Sequence, residues 1–231
     1  CDAVAAVPWQ FLVVLGTGIT AALLLLAGPI GWLLDRHSVP LFALFLGLVV
    51  GSIVTVAARS RWSLGAALCA LLGGALTWRL VGLVPVSTSQ DFVTLFLSGA
   101  AAAIAMILPG ISGSFILLVL GQYEFAIDAT RDREFLRLLP LALGGVCGIL
   151  PFARVVSWFL SNYHQISIAL LVGLMAGSLR KVWPFKVSVL VQVEGLAPRD
   201  ANVWPTIDAT FWVACVLCVL GFSLVYFLSV L

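Results

Sequence analysis

The chain has 231 residues, 62% of them hydrophobic and 10% charged, with a net charge of +2 and a mean hydropathy of +1.18. That composition excludes an ordinary soluble domain and describes an integral membrane protein, whose spans need about 20 apolar residues each. So small a net charge gives no reason to expect nucleic acid as a partner.

Taken from the N-terminus, apolar runs of spanning length fall at residues 9–34, 40–58 and 63–84, and later at 138–160, 166–179 and 210–231. The run from Ile166 is the shortest and reaches spanning length only by including Arg180 to Trp183. Trp9, Trp62, Trp183 and Trp204 read as interface anchors. Cys69, Cys147, Cys215 and Cys218 lie in apolar runs, where they act as small hydrophobes. No histidine or second thiol pair accompanies Cys215 and Cys218, so neither a metal nor another cofactor is expected.

Between the third and fourth runs, the apolar stretch from Phe92 to Ala126 is interrupted by Pro109-Gly110-Ile111-Ser112-Gly113-Ser114. Proline removes a donor and stops the first helix, while the glycines accept unusual backbone angles and let a ligand approach closely. A second helix is expected from about Ser114, with its first free N–H groups facing the break. At bilayer depth, irregular backbone lines a cavity or is buried in protein, and such breaks suit anionic ligands. Ser112 and Ser114 add hydroxyl donors, and the amides of Gly113 to Phe115 add an anion nest. The competing explanation is a packing kink, because small residues also let helices approach. For Gly99 with Ala103, Gly47 with Gly51, and Gly173 with Gly177, packing is the favoured reading.

The sequence matches itself at an offset of 126 residues. Leu15, Gly18, Trp32 and Leu34 fall on Leu141, Gly144, Trp158 and Leu160. Leu44, Gly47, Leu48, Gly51 and Ser52 fall on Leu170, Gly173, Leu174, Gly177 and Ser178 without a gap. A constant offset over this length points to a duplication. If residues 92–126 form a re-entrant hairpin, three crossings make up the offset and the repeats are inverted; if their two arms form one crossing, four do and the repeats are parallel. The short arms on either side of the Pro-Gly break fit the hairpin, so the predicted fold is all-α and polytopic, with inverted repeats and a re-entrant helical hairpin at 92–126. Residues 1–91 form the remainder of a first repeat with three transmembrane helices, and residues 92–231 form the second repeat. The repeat mate of Pro109 falls upstream of Cys1, so the sequence reads as beginning inside its first repeat. Arg131, Arg133, Arg137, Arg180, Lys181 and Lys186 gather on one side as orientation signals, making the loops after Ala129 and Leu179 cytoplasmic.

The stretch from Leu97 to Glu124, centred on Met106-Ile107-Leu108-Pro109-Gly110-Ile111-Ser112-Gly113-Ser114-Phe115, resembles the second repeat of the bacterial polyprenyl-phosphate transporter family. The resemblance extends to Val39-Pro40, Gly47-Leu48, Trp158-Phe159-Leu160 and Gly173-Leu174 with Gly177-Ser178-Leu179. It implies a flippase, not an enzyme, that returns undecaprenyl phosphate across the bacterial cytoplasmic membrane as a recycled carrier lipid. This sequence departs from the family pattern in lacking a first Pro-Gly-x-Ser-Gly segment.

The expected partners are therefore a polyprenyl phosphate lipid and bulk membrane lipids. The substrate-binding candidates are Pro109, Gly110, Ser112, Gly113, Ser114 and Arg154. Arg154 sits about midway along a span, where an unpaired cation is costly and must face protein or water, so it is the side chain expected to neutralise a phosphate. Its repeat mate is Gly28, and the competing explanation is a structural pair with Glu124. Glu124 and Asp128 are the candidates for coupling to a proton or sodium ion; the oligomeric state is left open. Arg79 reads as a snorkelling interfacial cation.

Two other functions start from the same residues. Gly110-x-Ser112-Gly113 matches the serine element of intramembrane proteases, but the required histidine base has only His37 and His164 as candidates, both in short loops. A small-anion channel built on the hairpin calls for a ring of repeated charges, not one unmatched arginine.

Overall fold

The computed structural model describes residues 9–60, 62–83, 88–189 and 199–230. Cys1, Val84 and Leu231, which enter the sequence reading, lie outside the described residues. The chain order is α1 (Trp9–Arg36), α2 (Ser38–Ala58), α3 (Leu64–Val81), α4 (Phe92–Ile107), α5 (Gly113–Val119) and α6 (Tyr123–Arg131). A 3-10 turn (Phe135–Leu138) then leads into α7 (Leu139–Asn162), α8 (His164–Val182), β1 (Lys186–Val189), β2 (Arg199–Asn202) and α9 (Ala209–Val230). Among the described residues six segments are long and apolar enough to cross a membrane, each containing one of the predicted runs or most of it. The short run from Ile166 gains its length where expected, from Arg180, Lys181 and Val182 at its C-terminal end. The antiparallel pairing of β1 with β2, Lys186 opposite Asn202, was not anticipated. Strands of four residues are too short for an alternating pattern to be legible in the sequence.

Three helix pairs carry most of the packing: α2 with α9, α3 with α8, and α4 with α7, while α2 also meets α8. Contact of backbone on backbone drives each pair, as expected where lipid removes the hydrophobic drive for helix association. A Cβ added at Gly47 would lie 2.0 Å from the Cys218 carbonyl oxygen, and one at Gly173 would lie 2.0 Å from that of Ala70. The small residues proposed for packing on α2 and α8 thus sit in two helix contacts.

The two contacts are alike in detail. A Cβ at Gly73 of α3 would meet the Leu170 carbonyl and Leu174 nitrogen of α8 at 2.9 and 3.4 Å. One at Gly221 of α9 would meet the Leu44 carbonyl and Leu48 nitrogen of α2 at 2.5 and 3.0 Å. Leu44 and Leu48 are the 126-residue mates of Leu170 and Leu174. Paired C-terminal ends are tied as well, through Arg59 Nη2 donating to the Ser229 carbonyl at 2.5 Å and Arg180 Nη1 donating to the Trp78 carbonyl at 3.1 Å. Cations there also oppose the negative end of the helix dipole.

The segment between α3 and α7 folds back on itself. Gln122, fully buried, donates from Nε2 to Thr88 Oγ1 at 2.6 Å and to the Ser89 carbonyl at 2.9 Å, and the Thr88 hydroxyl donates to the Leu120 carbonyl. Residues just before α4 are thereby tied to residues just after α5. The second arm is shorter than the sequence suggested. It ends at Val119, where Gly121, with φ of +68°, turns the chain into the separate amphipathic helix α6.

Candidate functional site

At the tip of this hairpin, each residue type has a local cause. Leu108 is extended (φ −82°, ψ 127°) because the ring of Pro109 disfavours a helical conformation before it. Gly110 follows with φ of +94°, a conformation that only glycine adopts without strain. A side chain there would also collide, since a Cβ would lie 2.6 Å from Ser178 Oγ and 3.3 Å from the Leu174 carbonyl. The break is therefore seated directly on α8. Ile111 and Gly113 are buried, the latter against Met106 and the Ala102 carbonyl of the outgoing arm.

Ser112 and Ser114 are exposed. Ser112 Oγ accepts the Phe115 N–H at 3.3 Å and lies 3.3 Å from Ser114 Oγ, so the two hydroxyls form one polar patch. Pro109, Gly110, Ser112, Gly113 and Ser114 are thus held in a single turn whose inner residues pack and whose hydroxyls remain accessible. Helix α5 starts at Gly113 with Ser112 as its cap, one residue earlier than expected.

Two residues of α8 that entered the sequence reading in other roles meet this turn. Ser178, part of the repeat match and of the family resemblance, faces Gly110, and Lys181, grouped with the orientation signals, holds its Nζ 5.1 Å from the centre of the Phe115 ring. Both lie three residues apart on one face of the last turns of α8. The available signal was the spacing of Lys181 from the Gly177-Ser178 repeat pair, together with Thr55 at the equivalent first-repeat position.

Arg154 stands apart from the turn. It is exposed on α7, and no hydrogen bond or ion pair joins it to residues 109–114 among the described residues. Beside it runs a groove of about 490 Å³ between Ile107 of α4 and Ile149, Ala153, Val156, Ser157, Leu160 and Ser161 of α7. Helical spacing sets Arg154 at the rim, three residues before Ser157 and seven before Ser161. Its alternative pairing with Glu124 is not made: among the described residues the one ion pair is Arg137 with Glu134, at 2.7 Å. Glu124 and Asp128 are exposed on α6, whose buried face carries Phe125 and Ala129. They lie beyond the closing contact of Gln122, not at the serine turn.

The histidines are elsewhere. His164 opens α8, about 21 Å along the helix axis from Ser178, and His37 packs edge-on against Trp32 at 5.6 Å. His164 cannot serve Ser112 as a base across that distance, and His37 is engaged with Trp32.

Six spanning segments and a kinked, hydroxyl-bearing turn seated between them define a multi-pass helical membrane protein. Family comparison is specific: residues 1–197 match the VCA0040-like family, described as undecaprenyl phosphate translocase-like, and the chain belongs to it. It is 37% identical over 177 residues to the polyprenyl-phosphate transporter of Vibrio cholerae serotype O1, covering 76% of this chain. It is 26% identical over 196 residues to the polyprenyl-phosphate transporter of Staphylococcus aureus, covering 76% of this chain and 69% of that one. The chain spans 58% of the length of the Vibrio relative. No solved structure matches it.

Proposed function

We propose that this chain carries polyprenyl phosphate, such as undecaprenyl phosphate, across the bacterial membrane as a transporter without catalytic chemistry. The observation that carries the reading is the turn at 109–114, broken at Gly110, supported by α8 and presenting two hydroxyls to a ligand. A phosphate head needs donors and positive charge, while its isoprenoid tail stays in lipid. Pro109, Gly110 and Gly113 shape the turn, Ser112 and Ser114 donate to the head group, and Arg154 supplies charge from α7 as the hairpin shifts.

The hairpin is re-entrant on this reading, supported by the closing contact of Thr88 with Leu120 and Gln122. Two crossings, α3 and α7, then lie between α2 and α8, so α2 and α8 run in opposite directions and residues 1–91 and 92–231 are inverted repeats. Support comes from the equivalent seats of Gly73 on α8 and Gly221 on α2. Rocking of one half against the other about the α2 and α8 contact exposes the turn alternately, and Glu124 or Asp128 couples the movement to a proton or sodium ion.

The test is uptake of undecaprenyl phosphate by proteoliposomes. Ser112→Ala and Arg154→Ala are each expected to reduce it, and unchanged uptake in both defeats the assignment.

A further inference from the structure

We infer that Lys181 is the cation that receives the phosphate at the serine turn, an assignment that rests on the polyprenyl-phosphate reading and adds a residue to its site. Three observations converge on the last turns of α8. Ser178 is in contact with the backbone of Gly110, so this part of α8 is fixed relative to the break. One turn further on, Lys181 Nζ lies over the ring of Phe115, the residue whose N–H is bound by Ser112 Oγ. Among the described residues no carboxylate lies within ion-pair distance of Lys181. An aromatic face attracts an ammonium without cancelling its charge, which holds the group on Phe115, next in sequence to Ser114, with its charge intact.

The duplication argues against a purely architectural role. Ser178 has Ser52 as its repeat mate, whereas Lys181 has Thr55, so packing of the equivalent helix needs no cation at this position. The α8 backbone is also held independently of this side chain, through Arg180 on Trp78 and Asn202 Nδ2 on the Arg180 carbonyl at 2.8 Å. What Lys181 adds is an exposed positive charge on the first turn of α5. The ligand chemistry is a phosphate monoester, whose charge and three oxygens match one ammonium and two hydroxyl donors.

The test is equilibrium binding to the full chain in nanodiscs, with farnesyl phosphate, farnesol and inorganic phosphate as probes. Lys181→Gln is expected to weaken farnesyl phosphate about 10- to 100-fold while leaving farnesol unchanged, and Lys181→Arg is expected to retain most of the affinity. Arg79→Gln, which removes an exposed cation from the last turn of α3, is expected to have no effect on the phosphate. Lys181→Gln binding farnesyl phosphate as the unaltered chain does, or losing farnesol in parallel, overturns the assignment. An equal loss in Arg79→Gln overturns it too, because it marks general surface charge. Unaltered chain that does not prefer farnesyl phosphate to farnesol overturns the polyprenyl-phosphate reading and this one with it. Inorganic phosphate bound as tightly as farnesyl phosphate, and lost in Lys181→Gln, supports Lys181 while removing the lipid from the parent reading.

Discussion

Adjacent glycines on α7 offer a controlled measure of how tightly the hairpin is held. Gly144→Ala and Gly145→Ala make the same chemical change in the same helix, so each gains the same helix propensity of about 1 kcal/mol. Their surroundings differ. A Cβ at Gly144 would lie 1.8 Å from the Phe96 carbonyl oxygen, whereas one at Gly145 would find its nearest neighbours at 3.8 Å. Ordinary carbon-to-oxygen contacts are about 3.3 Å or more, so α4 and α7 must part by about 1.5 Å to admit the Gly144 methyl. Overpacking on that scale typically costs about 1–3 kcal/mol, and the obstacle here is backbone, which cannot rotate away. Gly145→Ala is therefore expected to be neutral or stabilising, with Gly144→Ala less stable than it by about 2 kcal/mol or more. Unfolding of the purified chain followed by tryptophan fluorescence reads both variants. Equal stabilities would refute the claim that direct backbone contact, not small-residue composition, holds α4 on α7.

Further expectations concern the hairpin. With cysteine introduced at Gln90 and Thr130, both exposed, an impermeant thiol reagent is expected to label the two from the same face of the membrane, and labelling from opposite faces refutes re-entry. Gln122→Leu leaves the Ser89 carbonyl without its donor and is expected to cost about 1–3 kcal/mol, seen as earlier unfolding and faster proteolysis of the 120–138 segment. Gly110→Ala faces both a left-handed φ and the Ser178 hydroxyl, so uptake is expected to fall more than in Gly145→Ala, whose side chain is accommodated. Asp91, the cap of α4, is held down to about 2 chiefly by hydrogen bonds from Ser89 and Thr94. Its stabilising effect is present above the unfolded value near 3.9 and lost as the pH falls through about 2. The stability gap between the unaltered chain and Asp91→Ala should thus be full at neutral pH and close between about pH 4 and 2; a gap independent of pH refutes it.

Much of this protein is legible along the chain. Apolar runs longer than a bilayer leaflet can accommodate declare helices, because lipid offers no other way to satisfy backbone groups, and the six spanning segments follow. Pro109 and Gly110 announce the break, since one cannot continue a helix and the other tolerates what replaces it. The hairpin's second arm was misjudged because Leu120-Gly121-Gln122 carries no proline, and Phe125, Ala126 and Ala129 extend the apolar pattern past a turn that only the buried Gln122 contact defines. Arg154 drew attention as a cation in mid-span, and the fold sets it on the rim of the α7 groove instead of against Ser112.

Sequence alone determined that the chain is helical, membrane-embedded, internally matched at 126 residues and broken at one serine-bearing turn, because each is a local property of composition, period or backbone stereochemistry. Tertiary structure decided which helices pair, that Ser178 supports Gly110, and that Lys181 reaches the turn. Phe115 and Lys181 lie far apart in sequence, and their approach depends on how closely glycines let the intervening helices pack, a distance that no local pattern encodes.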